Sequence, residues 1–182
     1  MDSMRGRLLV ATPSVESGPF RRSVVFLLDH DEDGALGVIV NHPTHADVDD
    51  VLPSWSALVG APDCLFEGGP VSMDSALAVA VVPAGSSPAG FRPMTGRFGL
   101  VDLDGPVPDA TELLGMRVFA GYAGWSAGQL EDEIAEGSWL VTEARDEDVL
   151  TPQPENLWRS VLRRQEGDAR FLATFPDDPT EN

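Results

Sequence analysis

The sequence predicts a single α+β domain in which strands outnumber helices. Its 182 residues suffice for one domain with a sizeable core. Apolar residues make up 42% and charged residues 23%, the balance of a folded protein. Short β-branched and apolar runs predict strands along most of the chain, and helical spacing stands out near its end. We therefore expect one domain over residues 6–175 and a disordered acidic tail over residues 176–182.

The first predicted strands cover residues 8–12, 23–28 and 36–40. The polar stretch DHDEDGA separates the last two, which predicts a hairpin with a rather long loop. The continuous apolar run VVFLL indicates a strand buried on both faces. Residues 47–58 show a weaker helical pattern that Pro53 interrupts.

Further strands are predicted on both sides of a loop rich in Gly, Pro and Ser. CLFEGGPV indicates a short strand and a glycine turn, and another strand is expected over residues 76–82. Residues 83–96, PAGSSPAGFRPMTG, are expected to form an exposed loop and the preferred site of proteolysis. Strands follow at residues 98–103 and 116–122, with a short helix over residues 110–114 between them.

The C-terminal part combines two helices with one strand. Ser126 and Gln129 have the spacing of a capping box, which predicts that a helix begins at Ser126. A strand is predicted over residues 139–141. PENLWRSVLRRQEG, residues 154–167, has apolar positions at helical spacing and predicts a last helix that Gly167 ends.

Charge, cysteine usage and the lack of long apolar runs argue against several classes of function. Twelve Lys and Arg stand against 30 Asp and Glu, a formal charge of −18 that disfavours direct contact with nucleic acid. Cys64 is the only cysteine, so no intrachain disulfide forms. No apolar run is long enough to span a bilayer, and the run over residues 8–11 is too short for a signal peptide. We expect a cytoplasmic protein.

The segment GYAGWSAGQLEDEI, residues 121–134, is the densest group of unusual residues. Gln129 and Glu133 are four residues apart, so they share one face of the predicted helix, close to Trp125. A polar pair beside a tryptophan is suited to hold a ligand. The same residues also suit a closed corner in which the capping box satisfies the helix end.

A second glycine turn, EGGPV, contains Gly68, Gly69 and Pro70. Paired glycines suit a phosphate cradle, but the spacing matches neither a P-loop nor a dinucleotide fingerprint. A bend between strands is the simpler interpretation.

The spacing of the histidines matches no catalytic or metal-binding motif. His42 and His45 lie near several aspartates in HPTHADVDD, but their spacing favours a solvated loop over a metal site. The HExxH, CxxC and GxSxG motifs are all missing from the sequence. Acid–base chemistry by His30 or Glu133 stays an alternative. We assign no catalytic residue, no cofactor and no metal.

Together these stretches resemble the YqgE/AlgH family of largely uncharacterised bacterial proteins. The resemblance runs in order from about residue 6 to residue 167. The matching segments are GRLLVATPS, RSVVFLLDH, GALGVIVNHPT, FEGGPV, GYAGWSAGQLEDEI, WLV and WRSVL.

The resemblance implies a compact domain with a curled, partly barrel-like mixed sheet flanked by helices. It implies no settled activity and no cofactor, and one branch is named as a proposed transcriptional regulator of exopolysaccharide synthesis. The motif positions carried over as a ligand or partner surface are Asn41, Gly68, Gly69, Pro70, Trp125, Gln129 and Glu133.

Two departures limit what the family implies. The family usually has a basic residue between the Asn and Pro of NxP, where this chain has His42. After GGPV the family commonly has a strand similar to GFVLH, whereas this chain reads SALAVAV. No role is therefore carried over for a histidine in that strand.

The main hypothesis is a non-catalytic domain that binds a small molecule or a protein. The first alternative is a transcriptional regulator that acts through a partner protein, because the charge disfavours direct DNA contact. The second alternative is an enzyme with Glu133 or His30 as acid or base.

Overall fold

The computed structural model describes residues 3–16 and 18–176, so six of the seven residues of the expected tail lie outside the described chain. The fold is one mixed α+β domain built on a curled half-barrel sheet. The strands are β1 (Arg7–Ala11), β2 (Val24–Asp31), β3 (Gly34–Ile39), β4 (Pro43–Asp47), β5 (Cys64–Glu67), β6 (Val71–Val81), β7 (Phe91–Thr95), β8 (Phe98–Val101), β9 (Gly115–Ser126) and β10 (Trp139–Glu143).

The helices of the described residues are short and flank the sheet. Within residues 3–16 and 18–176, four are α-helical: α1 (Val48–Val51), α2 (Gln129–Ala135), α3 (Asp146–Val149) and α4 (Leu157–Arg163). In the same part of the chain, four 3₁₀ segments cover Pro53–Leu58, Ala110–Glu112, Pro154–Asn156 and Gly167–Thr174. No helix of the described residues is long and apolar enough to cross a membrane.

The sheet runs in the order β10-β1-β2-β3-β9-β6-β8-β7, and all neighbours on this path are antiparallel. The short strand β5 adds a parallel pair with β9 and carries β4 on its other side. β9 is long enough to pair with β3 near its end and with β6 along its first half. It therefore joins the two halves of the curl.

The core occupies both faces of the sheet. The largest cluster lies inside the curl and includes Phe26 of β2, Phe119 of β9 and the buried face of α4. A second cluster packs Leu9, Leu27 and other residues of the opposite face beneath α2. The expectation that VVFLL is buried on both faces is confirmed, because all five residues of that run are buried.

Several boundaries differ from the sequence prediction for identifiable reasons. The expected loop over residues 83–96 contains β7, an edge strand in which Pro93 is tolerated because only one side is paired. The hairpin loop after β2 is shorter than expected, since the strands continue to Asp31 and resume at Gly34. Pro43–Asp47, expected as loop, is strand β4. The last α-helix ends at Arg163, well before Gly167.

The capping-box prediction was wrong. Ser126 ends β9, and α2 begins after Gly128, whose φ of 78° suits glycine. Gln129 nevertheless accepts hydrogen bonds from the Ser126 backbone N–H (3.0 Å) and hydroxyl (3.2 Å). The serine and the glutamine thus contact each other, but they fix the turn before the helix instead of its first residue.

Candidate functional site

The Glu133 carboxylate is the centre of a closed corner formed by Phe20, Trp125, Gln129, Glu133 and Trp139. Oε1 of Glu133 accepts hydrogen bonds from the indole N–H groups of Trp125 (3.1 Å) and Trp139 (3.0 Å). Oε2 accepts from the Gln129 side-chain amide at 2.8 Å. Three donors therefore hold the carboxylate, which leaves it poorly placed to take a proton from a substrate.

Aromatic packing closes the corner around this carboxylate. The Trp125 and Trp139 rings meet edge to face, with centroids 5.9 Å apart, and Phe20 contacts both. Both tryptophans are buried. These contacts favour the structural interpretation of the segment, and a ligand-binding role for Trp125, Gln129 and Glu133 stays a prediction.

Asn41 and the two glycines of EGGPV also serve contacts within the protein's own fold. The Asn41 side chain accepts from the Val24 N–H (2.9 Å) and donates to the Arg22 carbonyl (3.0 Å). A Cβ on Gly68 would lie 2.4 Å from the Gly121 oxygen, and one on Gly69 would lie 2.2 Å from the Tyr122 carbonyl. These glycines permit close approach of β9, as a bend between strands requires.

Pro70 and His42 lie close to the same turn. Pro70 is exposed between β5 and β6. Burial lowers the pKa of His42 below its ordinary value of 6.5, and the charge of Glu67 opposes this only in part. His42 is therefore uncharged at pH 7 and does not supply the positive charge that the family usually has there.

His30 pairs with Glu131, not with Glu133. Its Nε2 lies 2.5 Å from Glu131 Oε1, while its Nδ1 accepts a hydrogen bond from the Met4 N–H at 2.9 Å. Because Nδ1 is an acceptor, the ring proton belongs on Nε2, and neither nitrogen is free to act as a base. No group of three or more His, Cys, Asp or Glu side chains within residues 3–16 and 18–176 is placed to hold a metal.

The hydrogen bond to Glu131 makes stability depend on pH. The hydrogen bond from His30 is the main reason that the pKa of Glu131 lies below its ordinary value, and a hydrogen bond from the Glu131 backbone N–H adds to it. Because its pKa is lower in the folded state, the ionised carboxylate stabilises the fold, and this stabilisation is complete above the pKa of the unfolded state. It is lost as the pH falls through the pKa of the folded state. We expect Glu131→Gln to flatten the fall in unfolding free energy below about pH 4.5.

The measurement is a series of urea titrations from pH 7 to pH 3. Glu32→Gln, at an exposed position of the neighbouring turn, is the control and should keep the wild-type pH profile. Identical acid profiles for Glu131→Gln and the wild type would contradict this origin of the pH dependence.

Sequence reasoning missed a cleft lined by strands β2, β3, β6, β7, β8 and β9. It has a volume of about 620 Å³ and lies between β2 and β3 on one side and β6, β7 and β8 on the other. Arg5, Asp29, Ser75 and Arg92 supply its polar lining. Its main apolar lining residues are Leu28, Leu36, Leu77, Met94, Leu100 and Tyr122.

Tyr122 connects the cleft to the GYAGW segment. It packs against the cluster inside the curl, whereas Trp125, three residues later, belongs to the cluster on the opposite face. One face of this part of β9 therefore lines the cleft and the other builds the corner. The volume falls within the range of about 300–1,000 Å³ that is common for small-molecule pockets.

Comparison with known proteins agrees with this architecture. The family described as AlgH-like matches residues 8–170. A UPF0301 protein of Streptomyces coelicolor is 55% identical over 187 aligned residues, which cover all of this chain and 97% of that protein. A UPF0301 protein of Thermobifida fusca is 49% identical, with 99% of this chain and 96% of that protein covered.

Two solved structures share the fold. A crystal structure of a Corynebacterium diphtheriae protein aligns with a TM-score of 0.89 and 34% identity, covering 96% of this chain and 93% of that one. The solution structure of AlgH from Pseudomonas aeruginosa aligns with a TM-score of 0.68 and 24% identity, covering 97% and 96%. The chain therefore belongs to the AlgH-like family of UPF0301 proteins.

Proposed function

We propose that this protein is a non-catalytic cytoplasmic domain that binds a small molecule in the cleft lined by Arg5, Arg92 and Tyr122. The observation that carries the proposal is the cleft itself, an apolar floor with a few polar groups at its rim. Ligand sites in proteins commonly combine these two features.

The contacts of the acid–base candidates support a role without catalysis. Glu133 accepts three hydrogen bonds from its own chain. His30 has both ring nitrogens engaged, by Met4 and by Glu131. Neither side chain lines the cleft. A regulator that acts through a protein partner stays an alternative, with no contact of the described residues in its favour.

The test is a ligand screen by NMR with the full chain and two matched variants. Ser75 is exposed and lines the cleft, so Ser75→Trp should fill part of it. Asp74 is the exposed neighbour that does not line the cleft, and Asp74→Trp adds the same bulk outside it. We expect compounds that bind the wild type and Asp74→Trp to lose at least about tenfold in affinity for Ser75→Trp, since a displaced ligand forfeits over 1.4 kcal/mol.

Two results would count against the proposal. One is a broad screen in which no compound shifts the amide signals of cleft residues. The other is a set of bound compounds whose affinity Ser75→Trp leaves unchanged, because their site would then lie elsewhere.

A further inference from the structure

The cleft has the opposite charge to the rest of the protein. The chain has a formal charge of −18, yet the charged residues that line the cleft are Arg5, Arg92 and Asp29. With two Arg against one Asp, the lining has a local excess of positive charge, which favours the entry of an anion. One oxygen of Asp29 also accepts a hydrogen bond from the His30 backbone N–H at 2.9 Å.

The two guanidinium groups have no partner within the described chain. Neither the Arg5 nor the Arg92 side chain forms a hydrogen bond, ion pair or ring contact with residues 3–16 or 18–176, and both are exposed. Guanidinium groups bind carboxylate and phosphate oxygens through paired N–H donors. Both side chains are therefore available to an external anion.

The backbone on both sides of Arg5 is fixed at the cleft rim. The Met4 N–H donates to His30 Nδ1 at 2.9 Å, and the Gly6 N–H donates to the Leu27 carbonyl at 2.8 Å. Gly6 also approaches β7 so closely that a Cβ there would lie 2.3 Å from a methyl carbon of Thr95. Arg5 is thereby held beside the strand that carries Arg92, which lowers the ordering cost of binding.

We propose that the cleft binds an amphipathic organic anion. Its carboxylate or phosphate group lies between Arg5 and Arg92, and its apolar body covers Leu36, Leu77 and Tyr122. This inference rests on the proposed small-molecule function and adds the chemical class of the ligand. The apolar floor is continuous with the main core cluster, so it accepts an alkyl or aryl group without polar partners.

The experiment titrates full-length ¹⁵N-labelled protein with five probes that separate charge from apolar contact. Octanoate and octyl phosphate distinguish the two headgroups, 1-octanol and octylammonium test the charge, and acetate tests the need for an apolar body. We expect at least one of the two octyl anions to shift the Leu77 and Tyr122 amides. Octanol should bind at least about threefold more weakly, and octylammonium and acetate should not bind measurably.

Variants assign the headgroup site. Arg5→Gln with Arg92→Gln should raise the Kd of the bound octyl anion by about three- to tenfold, the range for two exposed charges. Arg163→Gln removes an equal charge at an exposed position of α4 outside the cleft and should leave the Kd unchanged.

The outcomes separate this inference from the function on which it rests. Equal binding of octanol and the octyl anions, or an unchanged Kd in the double variant, overturns anion recognition but leaves small-molecule binding in the cleft intact. The same holds if neither octyl anion binds while another compound from the screen binds in the cleft. If neither these probes nor any screened compound perturbs the cleft amides, both proposals are overturned.

Discussion

Replacing Arg117 by methionine is expected to lower the free energy of unfolding by about 2–5 kcal/mol at pH 7. Arg117 lies in β9 with only 1% of its surface exposed. Its guanidinium lies over the Phe66 ring, at 4.4 Å from the centroid. It donates to the carbonyls of Val149 (3.2 Å), Thr151 (2.7 Å) and Ala61 (3.1 Å). One buried side chain thus ties two distant loops to the central strand.

The size of the effect follows from two opposing terms. Burial lowers the pKa of Arg117 to about 10, so the group stays charged at pH 7 and its burial opposes folding. Methionine removes that cost, but it leaves three carbonyl groups without their donor, at about 1–3 kcal/mol each. It also loses the cation–π contact, so the net change is a loss of stability.

Urea titration of Arg117→Met measures this loss. Arg163→Met, at an exposed position of α4, is the control and should change stability by no more than about 0.5 kcal/mol. Wild-type stability of Arg117→Met would mean that water or a shift of the loops satisfies the three carbonyls.

Replacing Glu133 by alanine is expected to cost about 2–4 kcal/mol, because the indole N–H groups of the buried Trp125 and Trp139 lose their shared acceptor. Glu133→Gln should cost less, about 1–3 kcal/mol. Its carbonyl oxygen still accepts from both indoles, but its amide then faces the Gln129 amide, which is also a donor. The Gln129 side-chain amide cannot flip to relieve this without losing the hydrogen bonds that its oxygen accepts from Ser126.

The comparison variant for Glu133 is Glu136→Ala, at an exposed position just after α2. We expect the order of stability in urea to be Glu136→Ala, then Glu133→Gln, then Glu133→Ala. If Glu133→Gln were as stable as the wild type or more stable, the corner would hold its carboxylate at a cost, and the ligand screen should then include this corner.

The sequence predicted β1 and β2 well because burial on both faces leaves a clear apolar signature. β3 and the edge strand β10 also lie close to their expected positions. β7 was missed because its pairing with β8 on one side overrides the weak strand propensity of FRPMT. The helix start was misplaced because Gly128, with its positive φ, permits a turn that the capping-box spacing does not anticipate.

The candidate site was predicted only where its parts are close in sequence. The spacing of Gln129 and Glu133 indicated their contact, which the structure contains. Phe20 joins the same corner from a distant part of the chain, and no local pattern relates it to Trp125. Arg5 and Arg92 meet at one cleft only because the sheet curls. A signal for Arg117 did exist, since it interrupts an otherwise apolar strand.

The pairing of the first strand with the last has a consequence for synthesis. β1 pairs with β2 on one edge and with β10 on the other, where Arg7 lies opposite Glu143. The edge that pairs with β10 therefore stays unpaired until almost four-fifths of these 182 residues have been synthesised. β3 likewise waits for β9, from Gly34 opposite Ser126. Such distant pairings slow folding and leave unpaired apolar strands exposed on the nascent chain. The finished protein covers these strand edges, whereas the nascent chain exposes them until β9 and β10 have been synthesised.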